Sequence, residues 1–339
     1  MLSPRPFDLH LSLQTLSYAA RLIVSELDTN RLVDRVLDSV ADFAHGRRVA
    51  LLQLAPDGRS AEVIGVMSPF ALVDFEDVVR VADTPLAEVV ALRKPLGFPL
   101  DPLRLVPLPS FEAADAEHRC FCLPLVDSSN AVFAIITVEQ LTSDPVSEEE
   151  LHVLSVLTAL AAAALENARL FTLATTDGLT SLYVRRFFDV RLREELARLR
   201  RHGGAVALVI TDIDHFKECN DAYGHPQGDT VLRELATLFR STLRHELDIP
   251  CRYGGEEYAA ILPATDLAGA VDVAERLRRV CEQHPFPTNA APLYVTLSAG
   301  VAVTSGTQPL SFEQLVARAD QALYRAKAAG RNRVVADES

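Results

Sequence analysis

Positive charge is what this chain has least of. Lysine occurs only at Lys94, Lys217 and Lys327 among 33 basic residues, and 46 acidic residues leave a formal net charge of −13. That balance argues against general nucleic-acid binding and against a basic membrane anchor. Cysteine is scarce as well. The five residues, at 120, 122, 219, 251 and 281, are odd in number and follow no zinc spacing, which suits reduced structural thiols. Cys120 and Cys122 would share one face of a strand, where a ligand role is the lesser alternative. Long hydrophobic runs are missing: residues 151–165 contain His152 and fall short of the ~20 residues that span a bilayer. The first 20 residues mix Pro, Arg, Asp and His among apolar positions, unlike a signal peptide. We therefore expect a cytoplasmic chain with no nucleic-acid or membrane partner, and its 339 residues make two domains the natural prior.

Residues 252–258 read Arg-Tyr-Gly-Gly-Glu-Glu-Tyr, set between the short apolar runs 248–251 and 258–262. The glycines belong at a hairpin turn, where they accept positive φ and let an anionic ligand approach the backbone. Glu256 and Glu257 then begin the outgoing strand and point to opposite faces. Alone, such a turn is most often a solvated hairpin. A second segment shifts the balance. Residues 205–214, Ala-Val-Ala-Leu-Val-Ile-Thr-Asp-Ile-Asp, form a buried strand that ends in two acids, so Asp212 and Asp214 must reach solvent, a partner or a cation. A polar loop with Lys217 and Asn220 follows, then Gly224-His225-Pro226-Gln227-Gly228-Asp229 opens a helix. Acids at a strand end, a cation and a polar turn into a helix make a plausible triphosphate cradle.

Asp-Ile-Asp-His-Phe-Lys-x-x-Asn-Asp, Gly-His-x-x-Gly-Asp and Arg-Tyr-Gly-Gly-Glu-Glu-Tyr together resemble the GGDEF family of diguanylate cyclases. Asp177-Gly-Leu-Thr-Ser-Leu opens the matching region, Leu297-Ser-Ala-Gly-Val-Ala supplies a later strand, and the run from Ala319 to Arg333 closes it. The likeness spans residues 172–336, six motifs in order. Before it, residues 10–27 and 29–44 read as helices, and 49–54, 61–66, 120–126 and 132–138 as strands around a centre, 68–118, that pattern does not resolve. Residues 28–168 resemble the GAF family of sensory domains, with a PAS-type sensor as the near competitor. Residues 147–174 form a linking helix whose apolar stripe covers either its own sensor domain or a second protomer.

The expected fold class is α/β in the α+β sense. It comprises an N-terminal helix (1–27), a GAF-like sensor and a helical stalk. Beyond the stalk comes a palm-like βαββαβ nucleotide-cyclase domain with helices on one face of an antiparallel-rich sheet. Its elements are a helix at 183–201, a strand at 205–213, a helix at 227–244, strands at 249–253 and 257–263, a helix at 266–283, a strand at 293–303 and a helix at 311–329.

The resemblance implies condensation of two GTP to cyclic di-GMP with release of two pyrophosphates, by a homodimer using Mg²⁺ or Mn²⁺, under a sensor that takes an unknown small molecule. By residue matching, Asp212, Glu256, Glu257 and the Ile213 carbonyl would surround the metal. Glu256 would also help deprotonate the 3′-hydroxyl, and Lys217 would offset charge on the triphosphate. Lys327 and Arg331 would take phosphate, Asn220 and Asp229 would read guanine, and His225, Gly254 and Gly255 would line the substrate. Two of three lysines thus fall in nucleotide motifs, where an ammonium acts as a point charge.

Three departures from the family pattern stand out. Tyr258 replaces the usual Phe and needs a partner for its hydroxyl. Val184 replaces an Asn. The inhibitory product site, Arg-x-x-Asp, is reduced to His245 and Asp248, with Arg244 displaced by one residue and expected to point elsewhere on a helix. A catalytically silent receptor or scaffold for GTP or cyclic dinucleotide is the alternative reading. A cyclase making mixed purine dinucleotides is a third, disfavoured by Asp229.

Overall fold

The computed structural model describes residues 17, 18, 20, 21, 23, 26, 28–44, 48–67, 78–82, 84–99, 119–140, 148–288 and 291–337. Most of the expected helix at 10–27 lies outside them. The chain divides into two compact units, Met1–Phe171 and Thr172–Ser339.

In the first unit the order is α1 (Thr29–Ala44), β1 (Arg48–Leu54), β2 (Ser60–Met67), β3 (Val78–Arg80), α2 (Pro85–Leu92), β4 (Leu96–Pro99), β5 (Arg119–Val126), β6 (Val132–Gln140) and the long α3 (Glu148–Thr175). The strands form one sheet in the order β3-β2-β1-β6-β5-β4, antiparallel throughout. Pattern missed β3, α2 and β4 because each is too short, at three, eight and four residues, to show a period. One sheet face is covered by α1 and α3 through Leu32, Val36 and Val40 against Leu51, Leu123, Ile136, Leu154, Leu157 and Ala161. The other face holds Leu52, Cys120, Cys122 and Ile135 under Val79, Leu86 and Val89. All five cysteines are buried and free.

The stretch that looked too short to span a bilayer belongs to a longer helix. His152–Thr175 is long and apolar enough to cross one by length and composition, and half of it is buried. Packing on the sheet accounts for that apolar face, because Leu154, Leu157, Ala161, Ala162, Leu165 and Ala168 all lie in the core.

The second unit runs β7 (Tyr183–Val184), α4 (Arg185–His202), β8 (Ala205–Ile213), α5 (Phe216–Tyr223), α6 (His225–Thr242), β9 (Ile249–Arg252), β10 (Glu257–Pro263), α7 (Leu267–Gln283), β11 (Leu297–Ser305), α8 (Phe312–Ala328) and β12 (Val334–Ala336). Its sheet order is β12-β11-β8-β10-β9-β7, parallel only at its two edges. The expectation of helices on a single face is corrected: α6 and α7 cover one face, through Val231, Leu235, Phe239 and Leu277, and α4 and α8 cover the other, through Phe188, Leu192, Leu315 and Leu323. The reason lies in β8, buried at every position but its first. A strand with apolar residues on both faces needs both faces covered. The strand expected at 293–303 is displaced to Leu297–Ser305, and a short helix, α5, fills the loop after β8.

Gly300 in β11 sets how closely α8 approaches. A Cβ there would run into the Ala319 carbonyl and the Leu323 amide, both helix backbone that cannot turn aside. Gly300→Ala is therefore expected to cost roughly 3 kcal/mol. Urea unfolding of the full chain checks it, through the midpoint of the C-terminal unit's transition.

Candidate active site at the ends of β8 and β10

Strand β8 delivers Asp212 to the place where β10 begins. Glu257 faces Asp212 in register across the β10–β8 pair, and the Ile213 amide donates to the Glu256 carbonyl at 3.3 Å. Burial, then the neighbouring Asp212 charge, holds the Glu257 carboxyl above the usual range, with Lys327 pulling the other way. Lys327, in the last turn of α8, sets its Nζ 2.8 Å from Asp212 Oδ2. Asp212 and Glu257 are thus brought together as expected. Among the described residues, however, no group of three or more His, Cys, Asp or Glu side chains is gathered closely enough to hold a metal. An ammonium already occupies one side of Asp212.

Of the two roles expected of the glycine pair, positive φ is not what the turn uses. Neither Gly254 nor Gly255 has a positive φ. A Cβ on Gly254 would collide with the Glu257 carboxylate, whereas one on Gly255 would meet nothing within 4 Å. Gly254 makes room for the acid, and Gly255 leaves open space beside it. The turn is tied from outside. Arg252 donates from Nε and Nη2 to the Gly255 carbonyl at 3.2 and 2.9 Å and from Nη1 to Asp177 Oδ1 at 2.9 Å. Asp177 also accepts from the Thr180 amide and hydroxyl. Sequence reading recognised Asp177 as the opening of a motif but missed its reach across the fold to the glycine turn, because 75 residues separate it from Arg252.

The remaining expected residues cluster near the same strand end. Lys217 lies exposed in the first turn of α5, and Arg331 lies exposed just beyond α8; neither makes a side-chain hydrogen bond or ion pair among the described residues. The Asn220 amide packs against Gly228, where a Cβ would displace it. Asp229 stands inside α6, exposed, and His225 is that helix's first residue.

Asp214 differs from Asp212. It is buried and accepts from Thr296 Oγ1, Ser298 Oγ and the Asn332 amide.

The departures also resolve. The Tyr258 hydroxyl donates to the Leu232 carbonyl at 2.8 Å within the core. Val184 stands at the N-cap of α4 and offers no side-chain acceptor there, while Arg186 donates to the Ala174 carbonyl and Arg185 lies 4.4 Å over the Tyr253 ring. Arg244 does not point elsewhere, because α6 has ended at Thr242 and the chain turns. Its Nε and Nη2 both donate to Asp248, at 2.6 to 3.1 Å, and Nη2 also meets the Pro263 carbonyl and Thr265 Oγ1. The Asp248 side chain is 1% exposed and that of His245 is 95% exposed.

The first unit offers an open groove of about 580 Å³ lined by Lys94, Arg93, Ser128, Thr158 and Glu166. It holds the third lysine of the chain.

Residues 174–333 match the family described as diguanylate cyclase, GGDEF domain, and residues 26–166 match the GAF domain. The response regulator PleD of Caulobacter vibrioides is 45% identical over 48% of this chain and 36% of its own length. Diguanylate cyclase A of Treponema denticola is 34% identical over 63% of this chain and 58% of its own. Among solved structures, the coiled coil and GGDEF domain of DgcB from Caulobacter crescentus, in complex with c-di-GMP, is 30% identical; the match covers 56% of this chain and all of that one, with a TM-score of 0.50. The chain belongs, through its second half, to the GGDEF family, with a GAF domain ahead of it. It spans less than two thirds of the length of these curated relatives.

Burial pushes Asp177 up, but the Thr180 hydroxyl and the Arg252 guanidinium outweigh it and hold the carboxyl below its ordinary value. Its contribution to stability is therefore present above the ordinary carboxylate pKa of about 4 and fades as pH falls through the lower folded value. Asp177→Asn should cost about 2 kcal/mol at pH 7 and much less at the acid end. Urea midpoints of both proteins from pH 7 down to pH 3 measure the difference.

Proposed function

We propose that this protein is a diguanylate cyclase, joining two GTP into cyclic di-GMP with release of two pyrophosphates, under the influence of its GAF domain. One observation carries the reading: Asp212 and Glu257 oppose each other in register beside an open glycine turn, with the Lys327 ammonium 2.8 Å from Asp212. Opposed carboxylates and nearby carbonyl oxygens are a hard donor set that suits Mg²⁺, or Mn²⁺ in its place. Asp212, Glu257, Glu256 and the Ile213 carbonyl would hold the ion. When bound, it supplies positive charge to the triphosphate.

This chain's own residues do the rest. Lys217 from α5, Lys327 from α8 and Arg331 from the loop beyond it take the phosphate oxygens and offset the charge that builds there during attack. Asn220, beside Gly228, and Asp229, in the next turn of α6, read the guanine edge; Asp accepts from its N1–H and exocyclic amine. His225 lines the same side. Glu256, whose main chain is fixed by the Ile213 amide, accepts the proton of the 3′-hydroxyl as that oxygen attacks the α-phosphate of the second GTP and pyrophosphate departs. Each product ring needs two nucleotides placed antiparallel, so two protomers must meet face to face. A homodimer supported by α3 raises the effective concentration of the two sites.

Incubation with Mg²⁺ and GTP, ATP or both, resolved by chromatography, should give cyclic di-GMP from GTP alone. Binding of GTP without product would favour a silent receptor, and a mixed purine product the promiscuous reading. Glu257→Gln, which removes a carboxylate charge at nearly constant volume, should lower turnover at least ~100-fold with an unchanged far-UV circular dichroism spectrum.

Product inhibition should be weak. Asp248 is fully engaged by Arg244, and the exposed His245 offers fewer donors than a guanidinium. Cyclic di-GMP titrated into the assay at pH 6 and pH 8 is expected to inhibit poorly at both. Tight inhibition at either would mean the Arg244–Asp248 pair opens to receive it.

A further inference from the structure

We propose that Asp214 is a positioning residue of the nucleotide site: it clamps the loop after α8 and thereby fixes where Arg331 meets the triphosphate. The proposal rests on the functional reading above. Two acids separated by one residue meet different fates here. Asp212 looks into the site and holds Lys327. The Asp214 carboxylate is spent on three donors from two other segments, Thr296 Oγ1 at 2.7 Å, Ser298 Oγ at 2.7 Å and the Asn332 amide at 2.9 Å, while its own amide donates to the Thr296 carbonyl. Both acids are buried, but the Asp214 carboxylate is committed to the fold's own donors where Asp212 is paired with a cation of the site.

What it holds is an unusual piece of chain. Arg331 and Asn332 have φ values of 62° and 45°, the left-handed region that residues with a Cβ rarely adopt, and they do so in succession after Gly330 at 111°. Such a run persists only when its surroundings over-determine it. The Asn332 side chain is gripped from α7, donating to Glu282 Oε1 at 2.7 Å and accepting from Arg278 Nη1 at 2.8 Å. The Arg331 carbonyl accepts from Arg333 Nε. The bond from Asn332 N to Asp214 is the tie that reaches the functional end of β8. Lys327 and Arg331, four residues apart, are therefore pinned to one strand end by two different acids. The first is held by its ammonium, the second by the peptide that follows it. The Arg331 side chain makes no hydrogen bond or ion pair among the described residues, so the placement of its backbone is what limits where the guanidinium can reach.

The test is GTP binding by calorimetry, with KM and kcat alongside, for the full-length wild type, Asp214→Asn, Arg331→Ala and the double variant. The asparagine can keep its three partners only with Oδ1 turned to Thr296 and Asn332 and Nδ2 donating to Ser298 Oγ, and it replaces the charged acceptor of the Asn332 amide by a weaker neutral one. It should weaken GTP binding and raise KM about tenfold while kcat stays within about threefold. In the Arg331→Ala background the same change should do almost nothing, because its effect runs through the guanidinium. Losses that multiply independently, or a fall in kcat at constant KM, would overturn the proposal. Asn332→Gly keeps the amide and accepts positive φ, so it should bind GTP like wild type; a loss equal to that of Asp214→Asn would move the clamp to Glu282 and Arg278 and sink the role of Asp214. If Asp214→Asn does not fold, Ser298→Ala, which frees one side of the carboxylate, should cost about threefold in affinity, again only while Arg331 is present; no cost counts against the clamp. A wild type that binds no GTP would instead defeat the functional reading itself.

Discussion

A strand covered on both faces cannot end in charge unless each charge finds a partner, and β8 is such a strand. Much of the second unit follows from that requirement. Asp212 draws in the end of α8 through Lys327, and Asp214 draws in the loop beyond it together with the approach to β11. The same logic recurs at the far side of the turn. There Asp177 receives Arg252, and Arg252 holds the Gly255 carbonyl. Three carboxylates, each partly or wholly withdrawn from water, thus fasten segments that are distant in sequence around one open space. Apolar packing sets how closely the helices stand, but these acids decide which loops face each other.

The first unit is built on another principle. Its sheet is antiparallel throughout, and its terminal helix α3 buries an alanine- and leucine-rich face against it before carrying the chain onward. That helix is apolar enough to pass for a membrane segment by composition. Its buried face accounts for half of that stretch, while Val156, Leu170 and Leu173 stay exposed. The groove at Lys94 opens onto the same helix, through Thr158 and Glu166.

Motif-bearing parts of the fold were legible because they carry chemistry that few other arrangements need. The run 205–213 announces a buried strand and the glycines announce the hairpin that joins β9 to β10, but the register that sets Glu257 against Asp212 lies between strands distant in sequence, where no local pattern reaches. Less visible was whatever depends on contacts between distant residues. The two-sided covering of the sheet was written in the unbroken apolar run of β8 yet was read as one-sided. Sequence suggests positive φ at both glycines, whereas the steric demand falls on Gly254 alone, since only the fold brings the Glu257 carboxylate against it. Arg244 was placed by helical rotation, which failed because α6 stops two residues earlier. Short elements such as β3, β7 and β12 have too few residues to show a period.

The contact between Lys327 and Asp212 has a thermodynamic consequence. On the proposed reading, the ammonium awaits phosphate and the carboxylate awaits a cation, yet each currently satisfies the other. For Asp212 to hold a cation it would have to part from Lys327, and for Lys327 to take a phosphate it would have to part from Asp212. Whichever comes first therefore bears the cost of parting the pair, and the second arrives at a group already released. Nucleotide and metal are then linked as heterotropic partners, each raising the affinity of the other by the same factor.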